Sequence, residues 1–191
     1  MKSDTRQRPI GSQTVGPFFE IGLQYLIDRT PAVPPNEEGW VEVRGKVVDG
    51  DGTPVPDAML EFWTPQPLSQ ATDQDSQGSH HDGFPVGFRR TATDPAGNFA
   101  VTLAMPAPLA LPDGSLQAPH LLVLVFARGL LRHLLSRMYF EDAPGNANDL
   151  VLQQLPADRR ASLIAQREGA EAGYRWNIVL QGAAETVFFA W

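Results

Sequence analysis

Short stretches of period-two alternation, each cut off by glycine or proline, constrain this chain more than any other feature. Val41, Val43, Gly45 and Val47 alternate with Glu42, Arg44 and Lys46, the pattern of a strand with one buried face. Asp49-Gly50-Asp51-Gly52 closes that run, with Pro54 and Pro56 just beyond, and a second run follows over Ala58 to Trp63. Phe88 to Thr93 and Asn98 to Leu103 flank Asp94-Pro95-Ala96-Gly97, which predicts a hairpin. His120 to Ala127 is almost wholly apolar and suits a strand covered on both faces. Leu134 to Phe140 gives another strand. Tyr174, Trp176, Ile178 and Leu180 alternate along one last long strand, and Thr186 to Trp191 forms a strand or tail.

One segment breaks the rule. Asn148 to Gln166 carries Leu150, Leu155, Leu163 and Ile164 and reads as helical, split into two short helices at Pro156. With about seven or eight strands and this helical excursion, the expectation is an all-β chain of two sheets packed face to face. The strand pattern occupies residues 41–191 as one domain. Residues 1–40 precede it as an extended arm that holds Val15, Pro17, Phe18, Phe19, Ile21, Leu23 and Tyr25. Apolar side chains outside the β pattern predict a surface to be covered, and for the arm the cover is a partner chain. For Val187, Phe188, Phe189 and Trp191 a partner surface and the chain's own core are both open.

Composition removes whole classes of function. The net charge is −7 with no basic stripe, which argues against nucleic acid and against an anionic membrane surface. The absence of cysteine excludes disulfides and thiolate sites. Met1 to Gly11 is polar and resembles no signal peptide, and the longest apolar run, Leu121 to Ala127, is far too short to span a bilayer. A cytoplasmic protein is the expectation.

Catalytic groups are scarce. The four histidines are His80, His81, His120 and His133. His80 and His81 are neighbours, so on extended chain they point apart; with Asp73, Asp75 and Asp82 they read as solvated loop residues rather than a metal site. His120 opens the most buried strand and reads as a strand cap or a partner of a loop carbonyl. His133, near Arg132 and Arg137, reads as exposed or paired. No nucleophile elbow, phosphate loop or dinucleotide fingerprint is present. From its residues alone, the chain lacks a self-sufficient catalytic set.

Several motifs, in order and along nearly the whole chain, resemble subunits of the protocatechuate 3,4-dioxygenase family. They are Ser12-Gln13-Thr14-Val15-Gly16-Pro17-Phe18, Gly45 to Gly52 with Leu60-Glu61-Phe62-Trp63, Phe88 to Thr93, Ala118-Pro119-His120, Phe126-Ala127-Arg128-Gly129, Arg137 to Phe140 and Glu185 to Phe189. The resemblance implies a prealbumin-like β-sandwich and intradiol ring cleavage at Fe(III) held by two tyrosines and two histidines. The family places the histidines as H-x-H where this chain reads His120-Leu121-Leu122, and its tyrosines in loops that correspond to residues 64–87 and 104–119, where this chain has none. His120 is then a vestigial ligand. Leucine offers neither charge nor lone pair to a ferric ion.

That pattern resembles the family's iron-free α subunits. It implies Fe(III) bound by an iron-bearing β partner, a small aromatic substrate, and higher assemblies of αβ units. It also implies that Thr14, Gly16, Pro17 and Arg128 contribute to the wall of the partner's active site. Arg128 suits a substrate carboxylate, and a structural or interface salt bridge is its alternative. Gly16-Pro17 permits close backbone approach, and Thr14 is alternatively a turn-forming hydroxyl. Two rival readings stand beside this one: a stand-alone intradiol dioxygenase, and a non-catalytic β-sandwich binding module.

Overall fold

The computed structural model describes residues 11–14, 16, 21–22, 39–65, 87–169 and 173–190. The period-two segments form strands where the pattern places them. Strand β1 (Trp40–Val48) turns Val41, Val43 and Val47 inward and pairs antiparallel with β4 (Asn98–Ala104), Val43 opposite Val101. Strand β2 (Met59–Trp63) lies between β3 (Phe88–Ala92) and β7 (His120–Phe126), antiparallel to both. Strand β8 (Leu134–Phe140) continues on the far side of β7. Strands β5 (Leu109–Ala110) and β6 (Leu116–Gln117) form a small separate ladder.

The two expected sheets are not separate. Strand β9 (Ile164–Glu168) pairs parallel with β8 and antiparallel with β10 (Gly173–Arg175), which runs parallel beside β1. With β11 (Ile178–Val179) beside β1, the order β11-β1-β10-β9-β8-β7-β2-β3, with β4 on β1, makes one nearly closed, barrel-like sheet instead of a two-sheet sandwich. Closure hides strand edges that a sandwich would leave open.

The Asp94–Gly97 turn forms as the sequence predicts, with Gly97 N donating to Asp94 O at 2.8 Å, but it is no hairpin of paired strands. Strand β3 goes to β2 and β4 goes to β1, so the turn carries the chain across the molecule. The expected last long strand is likewise interrupted. Between β10 and β11 (Ile178–Val179), Asn177 replaces the backbone ladder by accepting Lys46 N on Oδ1 at 3.0 Å. Gly45 is required there: a Cβ at this position would sit 1.7 Å from Trp176 O.

The helical segment splits at Pro156 as expected, into α1 (Leu150–Gln153) and α2 (Ala157–Arg160), with 3-10 turns at Asn146–Asn148 and Ala161–Leu163. It ends earlier than the apolar spacing suggests, because Ile164 to Gln166 are claimed by β9. Pairing with β8 and β10 outweighs a weak local helical preference there.

The main core holds Val41, Val43, Val47, Leu60, Phe62, Phe99, Leu121, Val123, Val125, Met138, Phe140 and Trp176. A second cluster, Ala118, Tyr139, Leu152, Leu163 and Val187, closes one end. The C-terminal segment belongs to it: Ser136 Oγ donates to Val187 O at 2.8 Å and Phe189 N to Leu135 O at 2.8 Å. The described C-terminal apolar residues are therefore stitched onto the chain's own body. Among the described residues no helix is long and apolar enough to cross a membrane.

Candidate functional site

Strand β7 carries a candidate at each end. At its start, His120 is buried, with its ring stacked on Tyr139 of β8 at 5.3 Å between centroids. Its Nδ1 donates to Ala118 O at 2.8 Å, the loop-carbonyl role that the sequence suggests. Burial holds its pKa below the ordinary histidine value, so the ring is neutral near pH 7.

Asp149 organises this end. It caps α1 by accepting Val151 N at 3.0 Å and Leu152 N at 3.1 Å on Oδ1, and the same oxygen accepts the Tyr139 hydroxyl at 3.2 Å. Its Oδ2 accepts Ala118 N at 2.9 Å, which fixes the loop that delivers His120. Arg137 Nη1 donates to Tyr139 Oη and to Gln117 Oε1, both at 3.3 Å. Burial pushes the Tyr139 phenol up to about 12. An aspartate ahead of Leu150-Val151-Leu152 is a visible cap signal, but its burial and its further partners are set by the fold.

These residues do not fit a ferric ion. His120 has committed one ring nitrogen to a carbonyl, and the second histidine position of the family pattern is Leu122. Directly across the sheet from Leu122 stands Arg137, a cation where a trivalent cation would need anionic donors. Tyr139 lies beside His120 but is engaged through its hydroxyl and resists ionisation. Among the described residues no group of three or more His, Asp or Glu gathers around a common point. His80, His81, Asp73, Asp75 and Asp82 lie outside the described residues.

The other end of β7 is open. Thr14 and the loop after β7 are brought together from 115 residues apart: Thr14 Oγ1 accepts Gly129 N at 2.9 Å. The same hydroxyl also accepts Gly16 N at 3.4 Å. Arg128 points its fork at Asp57, with Nε donating to Oδ1 at 3.1 Å and Nη2 to Oδ2. Asp57 is buried, while the Arg128 side chain remains 56% exposed. Asp57 sits at φ 55 in a turn held by Thr93, whose Oγ1 accepts Ala58 N at 2.9 Å and donates to Val55 O at 2.8 Å. Thr14, Gly16 and Arg128 thus lie along one edge; Pro17 lies outside the described residues.

Beside this edge an apolar cleft of about 670 Å³ runs along Phe126, Leu130, Leu131, Leu134 and Phe189, with Arg132 and His133 at its side. His133 packs its ring against Phe126 at 5.1 Å between centroids. Leu131, at 61% exposure, marks the cleft as unusually apolar surface. Nothing local in the chain marks Asp57 as the arginine's partner, because the two are joined only through the packing of the β1–β2 turn on the β7–β8 loop.

The family model described as Dioxygenase matches residues 28–182. The protocatechuate 3,4-dioxygenase alpha chain of Burkholderia cepacia is 41% identical over 93% of this chain and 95% of its own length. The alpha chain of Pseudomonas putida is 34% identical over 93% and 94%. The beta chain of Burkholderia cepacia is more distant, 26% identical over 76% of this chain and 66% of its own. Among solved structures, 3-chlorocatechol 1,2-dioxygenase of Rhodococcus opacus superposes with a TM-score of 0.57 at 19% identity, and this chain spans 61% of that one's length. The dioxygenase domain of a Streptomyces carbohydrate-binding fusion gives 0.56 at 16% identity, covering 96% and 97%. The chain belongs to the intradiol dioxygenase family, where it is similar along nearly its whole length to protocatechuate 3,4-dioxygenase alpha chains.

Proposed function

We propose that this chain is an α subunit that seals and shapes an active site whose Fe(III) sits on a β partner. The complex converts protocatechuate and O2 into 3-carboxy-cis,cis-muconate; the ring bond between the two hydroxyl-bearing carbons breaks and both oxygen atoms enter the product. The arm of residues 1–40 lies on the partner, and αβ units assemble further.

The observation that carries this reading is the Thr14–Gly129 hydrogen bond. It fixes the arm against the Arg128 loop at one end of β7 while the family's metal position at the other end is dismantled. Thr14, Gly16, Pro17 and Arg128 would then line the edge of the partner's cavity. Asp57 takes two donors of the Arg128 fork, so Nη1 and the second hydrogen of Nη2 are left to face a substrate carboxylate. Holding the guanidinium in place before substrate arrives spares the entropy of ordering a long side chain. The apolar cleft next to this edge would be covered in the complex, excluding water from the site.

The test is iron content and protocatechuate-dependent O2 uptake, for this chain alone and co-purified with its β partner. About one iron per αβ pair, with turnover only in the complex, supports the reading. Stoichiometric iron and turnover in the lone chain would overturn it.

A further inference from the structure

The dismantled metal position retains a built row of side chains. Cross-strand register aligns Phe88, Trp63, Leu122 and Arg137 on neighbouring strands β3, β2, β7 and β8. Directly opposed residues share a face of the sheet, so these four side chains form one line across it. Trp63 and Phe88 pack their rings at 4.4 Å, and the Arg137 guanidinium lies 6.0 Å from the Phe189 ring.

Both polar ends of the usable stretch have donors to spare. Among the described residues, Arg137 makes no ion pair; it touches only the neutral oxygens of Gln117 and Tyr139, both through Nη1. Its Nε and Nη2 make no hydrogen bond to the described residues. Asp149 is reached only through the Tyr139 hydroxyl and already accepts two helix N–H groups and Ala118 N. At the other end, the Trp63 indole Nε1 is sealed from solvent with no hydrogen-bond partner among the described residues. A partly buried guanidinium without a counter-ion is a costly state that an anionic ligand relieves.

The spacing selects the ligand. Trp63 and Arg137 stand two strands apart, about 9.5 Å at ordinary strand spacing. One aromatic ring with its carboxylate at the Arg137 end covers that distance by packing over Leu122 toward Trp63. Leu122 and the Phe189 ring supply apolar contact between and beside the ends.

The geometry points to a second, non-catalytic site in this chain that binds a small aromatic carboxylate, its carboxylate on Nε and Nη2 of Arg137 and its ring over Leu122 toward Trp63. A guanidinium stands where family members need a metal, and the same position turns from holding a cation to holding an anion. The choice of an aromatic acid leans on the functional reading above; the anion site itself does not.

The experiment is calorimetric titration of 4-hydroxybenzoate into the iron-bearing αβ complex, alongside iron content and protocatechuate turnover. The wild type should show a class of sites in the α chain beyond any at the iron centre. Arg137→Gln should weaken that class about tenfold or more, since a charged hydrogen-bond partner is lost. Leu122→Glu should block it with the fold preserved, because it places a carboxylate opposite Arg137. Iron and turnover should persist in both variants. Unchanged stoichiometry and affinity in both variants would overturn the site. Arg137-dependent binding in a complex that lacks iron or ring cleavage would overturn the functional reading and leave this one standing.

Discussion

The two ends of β7 have opposite characters. At the start, His120, Tyr139, Asp149 and Ala118 satisfy one another inside the protein, with His120 and Tyr139 buried together. At the finish, Arg128 is largely exposed, Thr14 reaches in from the arm, and Leu131 stands in solvent above an apolar cleft. A polar group sealed in a low-dielectric interior stabilises only when every partner is in place, whereas exposed pairs are nearly neutral in energy. The closed end should therefore govern stability, and the open end should govern what the chain does to a partner.

The largest effect should come from the closed end. Asp149→Ala strands Ala118 N, Val151 N, Leu152 N and the Tyr139 hydroxyl. A loss of about 3 kcal/mol or more is expected in urea unfolding. A loss below about 1 kcal/mol would show that this end is not closed and would break the contrast.

Titration sharpens the same contrast. The Tyr139 pKa is raised to about 12 from an ordinary 10, so the folded state holds the proton more tightly. The stabilisation from the neutral phenol is complete below pH 10 and is lost as pH rises from 10 to 12, by about 2–3 kcal/mol. Tyr139→Phe should remove that component, seen as a shallower alkaline fall in the urea midpoint than in the wild type. The lowered His120 pKa acts on the other side: stability should begin to fall as pH drops through about 6.5. His120→Gln should lose this acid limb.

Open-end substitutions should do the reverse. Arg128→Ala should cost the chain about 1–2 kcal/mol, less than Asp149→Ala, because the arginine is mostly exposed while the buried Asp57 carboxylate loses its partner. In the αβ complex it should lower kcat/KM for protocatechuate about tenfold, read from O2 uptake. Equal activity in the variant would leave Arg128 as a structural partner of Asp57 alone. The smallest effect belongs to Thr14→Ala, a few-fold rise in KM with stability unchanged to within about 0.5 kcal/mol. Thr14→Ser keeps the acceptor for Gly129 N and should restore the wild-type value.

Much of the fold was legible because it is local. The valines of β1 announce an inward face by period alone, and Pro156 divides the helical stretch wherever the chain lies. Strand partners were not legible. The Asp94–Gly97 turn looked like a hairpin, yet β3 and β4 belong to different neighbours, and β9 was hidden inside a helix-like spacing. The site divides in the same way. Thr14 and Arg128 were visible as motif residues, while Asp57, Asp149 and the row from Trp63 to Arg137 were not.

By itself, the sequence determined which side chains are available: the leucine at position 122, the lone histidine beside it at 120, and loops without the family's tyrosines. That inventory lacks the two-tyrosine, two-histidine set that the family resemblance implies for a ferric site. Only the tertiary structure decided what replaced it. Register across β7 and β8 sets Arg137 opposite Leu122, and folding of the arm sets Thr14 on Gly129. Such pairings join residues far apart in the chain, and they follow from how strands close on one another rather than from any local preference.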